Sequence, residues 1–178
     1  RLEFGPAVHG LFIDTFGAAL TPELKAAMRA HGLDLDRPLR PSYPSASYVA
    51  CVRLMARALS PELPEPDALR VMGGRAVEGL GSNFLGRSLL SVLRALGLRR
   101  SLLHAERAFR NSNNYTRVEA QVLNPTAVEL TFNTVQGMPT YVEGVLLAVA
   151  QVLGGREPRV ESNPLDGERH RFVLHWKE

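Results

Sequence analysis

The chain of 178 residues is 45% hydrophobic and 22% charged, which excludes global disorder and predicts a single domain over residues 1–178. Its formal net charge of +3 at pH 7 is too small to indicate a nucleic-acid partner. With one cysteine and no apolar run near the ~20 residues of a membrane span, we expect a cytoplasmic protein without a disulfide or a cysteine-rich zinc site.

Helical patterns fill the first part of the chain, about residues 7–110. The stretch from Pro6 to Asp14 is compatible with a strand or with the start of a helix. The first clear helix begins with Thr21 as its cap and Pro22 in its first turn, and it runs to about His31. Apolar spacing and stop signals predict four more helices: Ser45 to Leu59, Asp67 to Leu80, Phe84 to Leu96 and Leu98 to Arg110.

Glycine and proline give two local expectations within this helical part. The pair Gly73-Gly74 lies in the middle of the third helix, where it weakens the helix and indicates close packing against a neighbour. The segment "DLDRPLRPSYP", residues 34–44, has three prolines in eleven residues. Because proline cannot donate a backbone hydrogen bond, we expect this segment to be an irregular linker.

The pattern changes to a period of two after Asn114. Alternating apolar residues predict a strand from Thr116 to Val122, a turn, and a second antiparallel strand from Val128 to Phe132. A helix from Thr140 to Leu153 and two further strands follow, one short near Arg159 to Ser162 and one from His170. The predicted fold class is α+β, with about six helices packed on a four-stranded antiparallel sheet in the order ααααα-ββ-α-ββ. Residues 114–178 form its sheet-containing part.

No motif for catalysis, metal binding or a cofactor is visible in the sequence. No two of the five histidines have the i, i+4 spacing of a helical metal site, and no G-x-S-x-G elbow occurs. The glycines of "GGRAVEGLG" lie in a helical pattern and not between a strand and a helix. We therefore expect no metal, no cofactor and no enzymatic activity.

The predicted fifth helix has a cationic face. Guanidinium groups at these positions could bind a phosphate, a carboxylate or an acidic partner, or they could be solvated and pair with Glu106 and Glu119. At helical spacing the arginines project within an arc of roughly 100°: Arg99, Arg100, Arg107 and Arg110.

The polar run from Asn111 to Asn114 joins this helix to the first strand. Asparagine ends helices readily, so the run could be a plain connector. Alternatively, its amides could join the neighbouring arginines and Tyr115 around a polar ligand. This second interpretation gives the candidate ligand-binding residues of the chain: Arg107, Arg110, Asn113, Asn114, Tyr115 and Arg117.

Several phrases of the sequence resemble, in order, a paralogous family of uncharacterised proteins from myxobacteria: "AVHGLFIDTFGAAL", "GLDLDRPLRPSYP", "ALRVMGGRAVEGL", "LGRSLL", "FRNSNNYTRVEAQVL" and "MPTYVEGVLLAVAQVLGG". The C-terminal part, "YVEGVLLAVAQVLGGREPRVES" followed by "RHRFVLHW", is also similar to the end of the four-vinyl-reductase small-molecule-binding domain. That group resembles haem nitric-oxide-binding domains. The resemblance implies helices packed against a four-stranded antiparallel sheet, with an apolar pocket that the two can enclose.

The sequence departs from these relatives in the residues that bind metal and haem. The four-vinyl-reductase group commonly carries C-terminal cysteines, which this chain lacks. Haem nitric-oxide sensors use a helix histidine and a tyrosine-serine-arginine signature. Here His104 lies on the polar side of its predicted helix, and "Tyr115-Thr116-Arg117" is not that signature.

The resemblance implies a non-catalytic sensory or regulatory domain that binds a small apolar or amphipathic ligand or a protein partner. The alternative is a pure interaction module, a homodimer or an adaptor, without a ligand.

Overall fold

The computed structural model describes residues 1–79 and 84–177. In these two ranges the chain forms eight α-helices and six β-strands. The helices are α1 (Gly5–Val8), α2 (Pro22–Ala30), α3 (Ser45–Leu59), α4 (Glu65–Gly79), α5 (Phe84–Leu96), α6 (Leu98–Leu103), α7 (Ala105–Ser112) and α8 (Pro139–Val152). The strands are β1 (Leu2–Phe4), β2 (Ser42–Pro44), β3 (Val118–Asn124), β4 (Ala127–Phe132), β5 (Arg156–Pro164) and β6 (His170–Lys177).

The predicted α+β class is confirmed, and the helical signals of the sequence explain most helix ends. The Thr21 hydroxyl accepts a hydrogen bond from the Leu24 amide at 3.2 Å and caps α2, and Pro22 occupies its first turn. The stretch from Pro6 to Asp14, which the sequence left open between strand and helix, is helical. α1 continues there into a π-helical segment, His9–Thr15. The predicted helix end at Leu80 lies outside the described residues. None of the described helices is long and apolar enough to cross a membrane.

The predicted single helix from Leu98 to Arg110 is wrong, because the chain bends at His104 and forms α6 and α7. The bend has a tertiary cause: α6 packs on β3 and β4, whereas α7 packs on β3 and also contacts β1 and α1, which lie outside that sheet. The common cationic arc is therefore wrong as well. Arg99 and Arg100 lie on α6, and Arg107 and Arg110 lie on α7.

A small two-stranded sheet was missed in the proline-rich linker. β1 pairs with β2 in an antiparallel register that places Leu2 opposite Pro44 and Glu3 opposite Tyr43. The expectation of irregular backbone is thus wrong for residues 42–44. Proline fits here because Pro44 is the last residue of a two-stranded ladder, where a missing amide proton breaks no continuing set of bonds.

The main sheet has four antiparallel strands in the order β3-β4-β6-β5. β5 is longer than predicted, at nine residues, and pairs with β6 along most of its length. The alternation of the sequence fixes which side chains face the helices, and these form one buried set: Val128, Leu130, Phe132, Phe172, Leu174 and Trp176.

Two groups of buried apolar residues form the core. The helical cluster includes Phe12, Met28, Val52, Met55 and Met72 from the helices before residue 80. The sheet cluster consists of the inward-facing residues of the main sheet together with residues of α6 and α8. α8 connects them, because Tyr141 packs against the helical cluster while Val142 and Leu146 belong to the sheet cluster.

Glycines allow α8 to lie directly against α4. A Cβ atom on Gly73 would overlap the carbonyl oxygen of Tyr141, and one on Gly144 would overlap the carbonyl oxygen of Arg70. The expected close packing at the glycine pair is therefore confirmed for Gly73. Beside this crossing the Arg70 guanidinium pairs with the Glu143 carboxylate at 2.7 Å.

Candidate functional site

The structure divides the six predicted binding residues between the surface and the interior. Arg107 and Arg110 are exposed on α7 and line a shallow depression together with Glu106 and Asn111. Within the described ranges neither guanidinium forms an ion pair. Such a depression could accept an anionic group, but the asparagines expected to share it do not line it.

Asn113 and Asn114 have internal structural roles. The Asn113 side-chain oxygen accepts hydrogen bonds from the backbone amides of Tyr115 and Thr116, at 3.2 and 2.8 Å. The Asn114 side-chain oxygen accepts one from the Leu2 amide at 2.9 Å, and its own amide donates to the Leu2 carbonyl. Asn114 therefore fastens β1 to the connection between α7 and β3, and Asn113 stabilises the turn within that connection.

Arg117 is exposed and lies near a local carboxylate, as expected if the arginines of this region are solvated. Its guanidinium donates to the Thr116 carbonyl at 3.1 Å, and its Nε lies 3.8 Å from the Glu106 carboxylate. Both groups are largely exposed, so this contact contributes little to stability. It also means that Arg117 is partly neutralised by the carboxylate expected as its local partner.

The Tyr115 side chain connects this junction to a buried carboxyl group. Its hydroxyl donates a short hydrogen bond to the carboxyl group of Glu3, which is only 3% exposed. Burial raises the pKa of Glu3 from 4.5 to about 7, although the bond from Tyr115 acts in the opposite direction. Burial, followed by the neighbouring Glu3, also raises the pKa of the Tyr115 hydroxyl.

Two more tyrosines complete what we call the tyrosine–glutamate cluster, which consists of Glu3, Tyr48, Tyr115 and Tyr141. Burial raises the pKa of Tyr48 well above its ordinary value, and Tyr141, Glu3 and Tyr115 raise it further. Burial likewise raises the pKa of Tyr141 to about 12, with a contribution from Glu3 and an opposing one from Tyr48. The four groups therefore lie close enough to influence one another's ionisation.

The cluster lies at the edge of the helical cluster, where α8 passes on to the sheet cluster. Four separate parts of the chain supply its members: β1, α3, the residues before β3, and α8. On the outside, the Arg1 guanidinium lies 5.9 Å from the centre of the Tyr115 ring and pairs with Glu168. Arg1 therefore lies over the outer face of the Tyr115 ring.

Gln136 adds a strained and unsatisfied group beside Tyr115. It lies in the connection between β4 and α8 with a φ of 55°, a conformation that costs a non-glycine residue about 1 kcal/mol or more. The side chain is close enough to Tyr115 to act on the pKa of its hydroxyl, in the lowering direction. Its buried Nε2 nevertheless has no partner with hydrogen-bond geometry among the described residues. An unpaired buried donor of this kind is uncommon in proteins.

Sequence reasoning found only Tyr115 of this cluster. Glu3 and Tyr115 are separated by 112 residues along the chain, so no local spacing relates them. The available signal was weak: Glu3 is a charged residue between the apolar Leu2 and Phe4.

Solved structures with a similar fold are H-NOX domains. An H-NOX protein from S. oneidensis in the Fe(II)NO ligation state has a TM-score of 0.67 at 12% identity and covers 97% of each chain. A Cs H-NOX mutant has a TM-score of 0.71 at 14% identity and covers 98% of this chain and 97% of its own. A mutant of T. Tengcongensis H-NOX has a TM-score of 0.66 at 14% identity and covers 98% and 95%. These similarities show the fold alone.

The residues of this chain do not fit a haem held by a helix histidine. His104, at the bend between α6 and α7, is exposed. The positions of these helices that pack on the sheet include Leu102 and Phe109. The Phe109 ring meets the edge of Phe132 at 5.2 Å and fills the space between α7 and the sheet. Among the described residues, no group of three or more histidine, cysteine, aspartate or glutamate side chains could hold a metal ion.

One family matches nearly the whole chain. No curated protein matches this chain. The family model described as "Protein of unknown function (DUF2378)" matches residues 1–177. The chain therefore belongs to this family, and it has a fold similar to that of H-NOX domains without a histidine placed for haem.

Proposed function

We propose that this chain, as one domain over residues 1–178, is a non-catalytic sensory or regulatory domain that binds a small amphipathic ligand. The observation that carries the proposal is the tyrosine–glutamate cluster, in which a buried carboxyl group accepts a hydrogen bond from one of three partly buried tyrosines at the edge of the helical cluster. The H-NOX fold supports it, because a solved example is described in an Fe(II)NO ligation state and so holds a ligand.

The energetic cost of the cluster argues for a role beyond packing. A buried polar group without full hydrogen bonding costs on the order of 1–3 kcal/mol in proteins, and phenylalanine or leucine would fill the same space without that cost. Gln136 adds backbone strain and an unpaired donor at the same place. Perturbed ionisable groups and strained backbone tend to concentrate at binding and active sites.

The chemistry of the groups indicates the kind of ligand. The unpaired Gln136 Nε2 can donate to an oxygen of a ligand, and the tyrosine hydroxyls can donate or accept. Because Glu3 acquires a negative charge near neutral pH, a carboxylate ligand is disfavoured here. We therefore propose a neutral hydroxyl or carbonyl group on an apolar body, with the polar end directed at Tyr115 and Gln136.

The six residues predicted from sequence then divide by role. Tyr115 belongs to this proposed ligand site, Asn114 holds β1 beside it, and Asn113 stabilises the turn that contains Tyr115. Arg107 and Arg110 belong to the exterior, where they would meet an anionic group of a ligand or a partner. Arg117 lies near the Glu106 carboxylate and is therefore the least suited of the six residues to bind a ligand.

Native mass spectrometry of freshly purified protein tests the proposal. We expect a bound small molecule in the natural chain and a loss of at least about tenfold in its occupancy in Tyr115→Phe. Tyr43→Phe is the matched control, because Tyr43 is the remaining tyrosine and its hydroxyl accepts from the Arg40 amide outside the cluster. A chain that carries no small molecule, and that no fraction of a cell extract stabilises against heat, would contradict the proposal.

A further inference from the structure

The positive charge of the protein is concentrated in one segment. Residues 84–112 contain six arginines and one glutamate, a net charge of +5, whereas the whole chain carries +3. The remaining residues therefore have a net charge of −2. Charge asymmetry of this size points to an anionic partner for the segment that forms α5, α6 and α7.

The described arginines of this segment are exposed and unneutralised. Arg99 and Arg100 on α6 make no ion pair within the described part of the chain, and the same holds for Arg107 and Arg110 on α7. Elsewhere the pattern differs: Arg29 pairs with Asp34 and Asp36. The guanidinium groups of α6 and α7 are therefore free to bind carboxylates bidentately.

Exposed aliphatic side chains lie among these arginines. Val92 on α5 is 58% exposed, Leu96 is 40% exposed, and Leu103 on α6 is 41% exposed. Val92 and Leu96 are four residues apart and so share one face of α5. A surface that combines free arginines with exposed aliphatic residues is complementary to a partner that is both acidic and apolar.

A concave surface joins the two features. It is a depression of about 520 Å³ at the contact of α5, α6 and the end of α8, which we call the basic groove. Arg99 and Arg100 line the groove, and Leu96, Leu153 and Trp176 contribute apolar atoms to the lining. The exposed Leu96 and Gly154 leave the groove open to solvent.

We propose that the basic groove binds an acidic amphipathic helix of a partner protein. One apolar side chain of that helix sits between Leu96 and Leu153, and its carboxylates pair with Arg99 and Arg100. An open groove leaves a small ligand mostly solvated, which favours a protein. A flat bilayer does not enter a concavity, and the buried Trp176 offers no exposed ring for base stacking. This surface is independent of the interior ligand site.

The chain's only tryptophan provides a direct readout, because Trp176 lies in the groove. The probe is a synthetic tryptophan-free peptide of about 18 residues with leucines at helical i, i+4 spacing and glutamates on the other face. We expect saturable binding with a shift of Trp176 fluorescence. The double reversal Arg99→Glu with Arg100→Glu should weaken binding at least about tenfold. Leu96→Ser should weaken it independently of charge.

Arg75→Glu with Arg169→Glu is the matched control, since both arginines are exposed and make no ion pair among the described residues. Equal weakening in this control would overturn the proposal, as would equal binding of a peptide with lysine in place of glutamate. Vesicles of phosphatidylcholine and phosphatidylglycerol that shift Trp176 while the peptide does not would identify a membrane surface instead. A concentration-dependent dimer that the Arg99 and Arg100 reversal abolishes would identify a second copy instead.

Discussion

Glu3 combines two properties that rarely occur together in a protein: it is almost fully buried, and within the described residues its carboxyl group has one hydrogen bond, from the Tyr115 hydroxyl. A protonated carboxyl group tolerates burial far better than a carboxylate does, so the site holds the proton to a higher pH. The pKa of Glu3 is raised from 4.5 to about 7 for this reason. Glu3 is therefore a group whose charge changes near neutral pH.

We predict that Glu3→Gln removes a pH dependence of stability. In the unfolded chain Glu3 loses its proton near pH 4.5, whereas in the folded chain it keeps the proton until about pH 7. The free energy of unfolding should therefore fall by about 3 kcal/mol between these values, and the loss should be complete above pH 7. Glutamine keeps an oxygen for Tyr115 and has no such slope. Urea unfolding at pH 5 and pH 8 measures the difference.

Glu62→Gln is the control for this prediction, because Glu62 is an exposed carboxylate between α3 and α4. It should unfold with the same pH dependence as the natural chain. If Glu3→Gln also follows the natural chain from pH 5 to pH 8, the proton on Glu3 is not coupled to folding.

At this scale the sequence could predict individual residue roles only where a local pattern exists. Thr21 was identified as a cap because its neighbours Pro22 and Glu23 are typical of a helix start. Tyr115 was identified because it adjoins a conspicuous polar run. Glu3 and Tyr141 could not be found, because their proximity depends on how β1 and α8 meet in three dimensions.

At the scale of elements, the crossing of α4 and α8 holds the two hydrophobic clusters together. Glycine at this crossing brings the backbones into contact, so the helices cannot move apart without opening both clusters. Arg70 strengthens the contact at its edge by pairing with Glu143 and Asp67. The crossing also positions Tyr141 of α8 beside the helical cluster.

We predict that Gly144→Ala destabilises the protein by about 3 kcal/mol or more, because the added Cβ atom overlaps the backbone of Arg70 and forces the helices apart. Gly74→Ala is the matched control on the facing helix. Its Cβ atom would lie 3.9 Å from the Gly144 carbonyl oxygen, an ordinary van der Waals contact, and alanine favours the helix by ~1 kcal/mol. Thermal unfolding compares them, and equal melting temperatures for both variants would contradict a backbone contact.

The bounds of the long helices could be predicted from the sequence, whereas the three-residue strands and the full length of β5 could not. The ends of α3 and α5 agree with prediction because a helix of thirteen residues or more displays several turns of apolar spacing. β1 and β2 have three residues each, too few for a period to be visible. The bend between α6 and α7 depends on contacts of α7 with β1, which the local sequence does not encode.

At the scale of the whole molecule, an H-NOX fold here encloses a solid aromatic interior next to α7. The ring of Phe132 meets Phe109 at 5.2 Å and Phe172 at 5.5 Å, both edge to face. Such pairs contribute about 0.5–1.5 kcal/mol beyond their buried area. The fold therefore uses this space for packing, and the polar groups suited to a ligand lie at the tyrosine–glutamate cluster instead.

This arrangement predicts the outcome of haem reconstitution. When the purified chain is incubated with hemin and passed through a sizing column, we expect no stoichiometric Soret band with the protein, because Phe109 fills the space and His104 points to solvent. The H-NOX protein from S. oneidensis, treated in parallel, is the positive control. A one-to-one Soret band that disappears in His104→Ala would show that α7 moves to admit haem. A weak band that His104→Ala leaves unchanged would indicate that hemin adsorbs to the protein surface. That result would agree with a packed interior that does not admit haem.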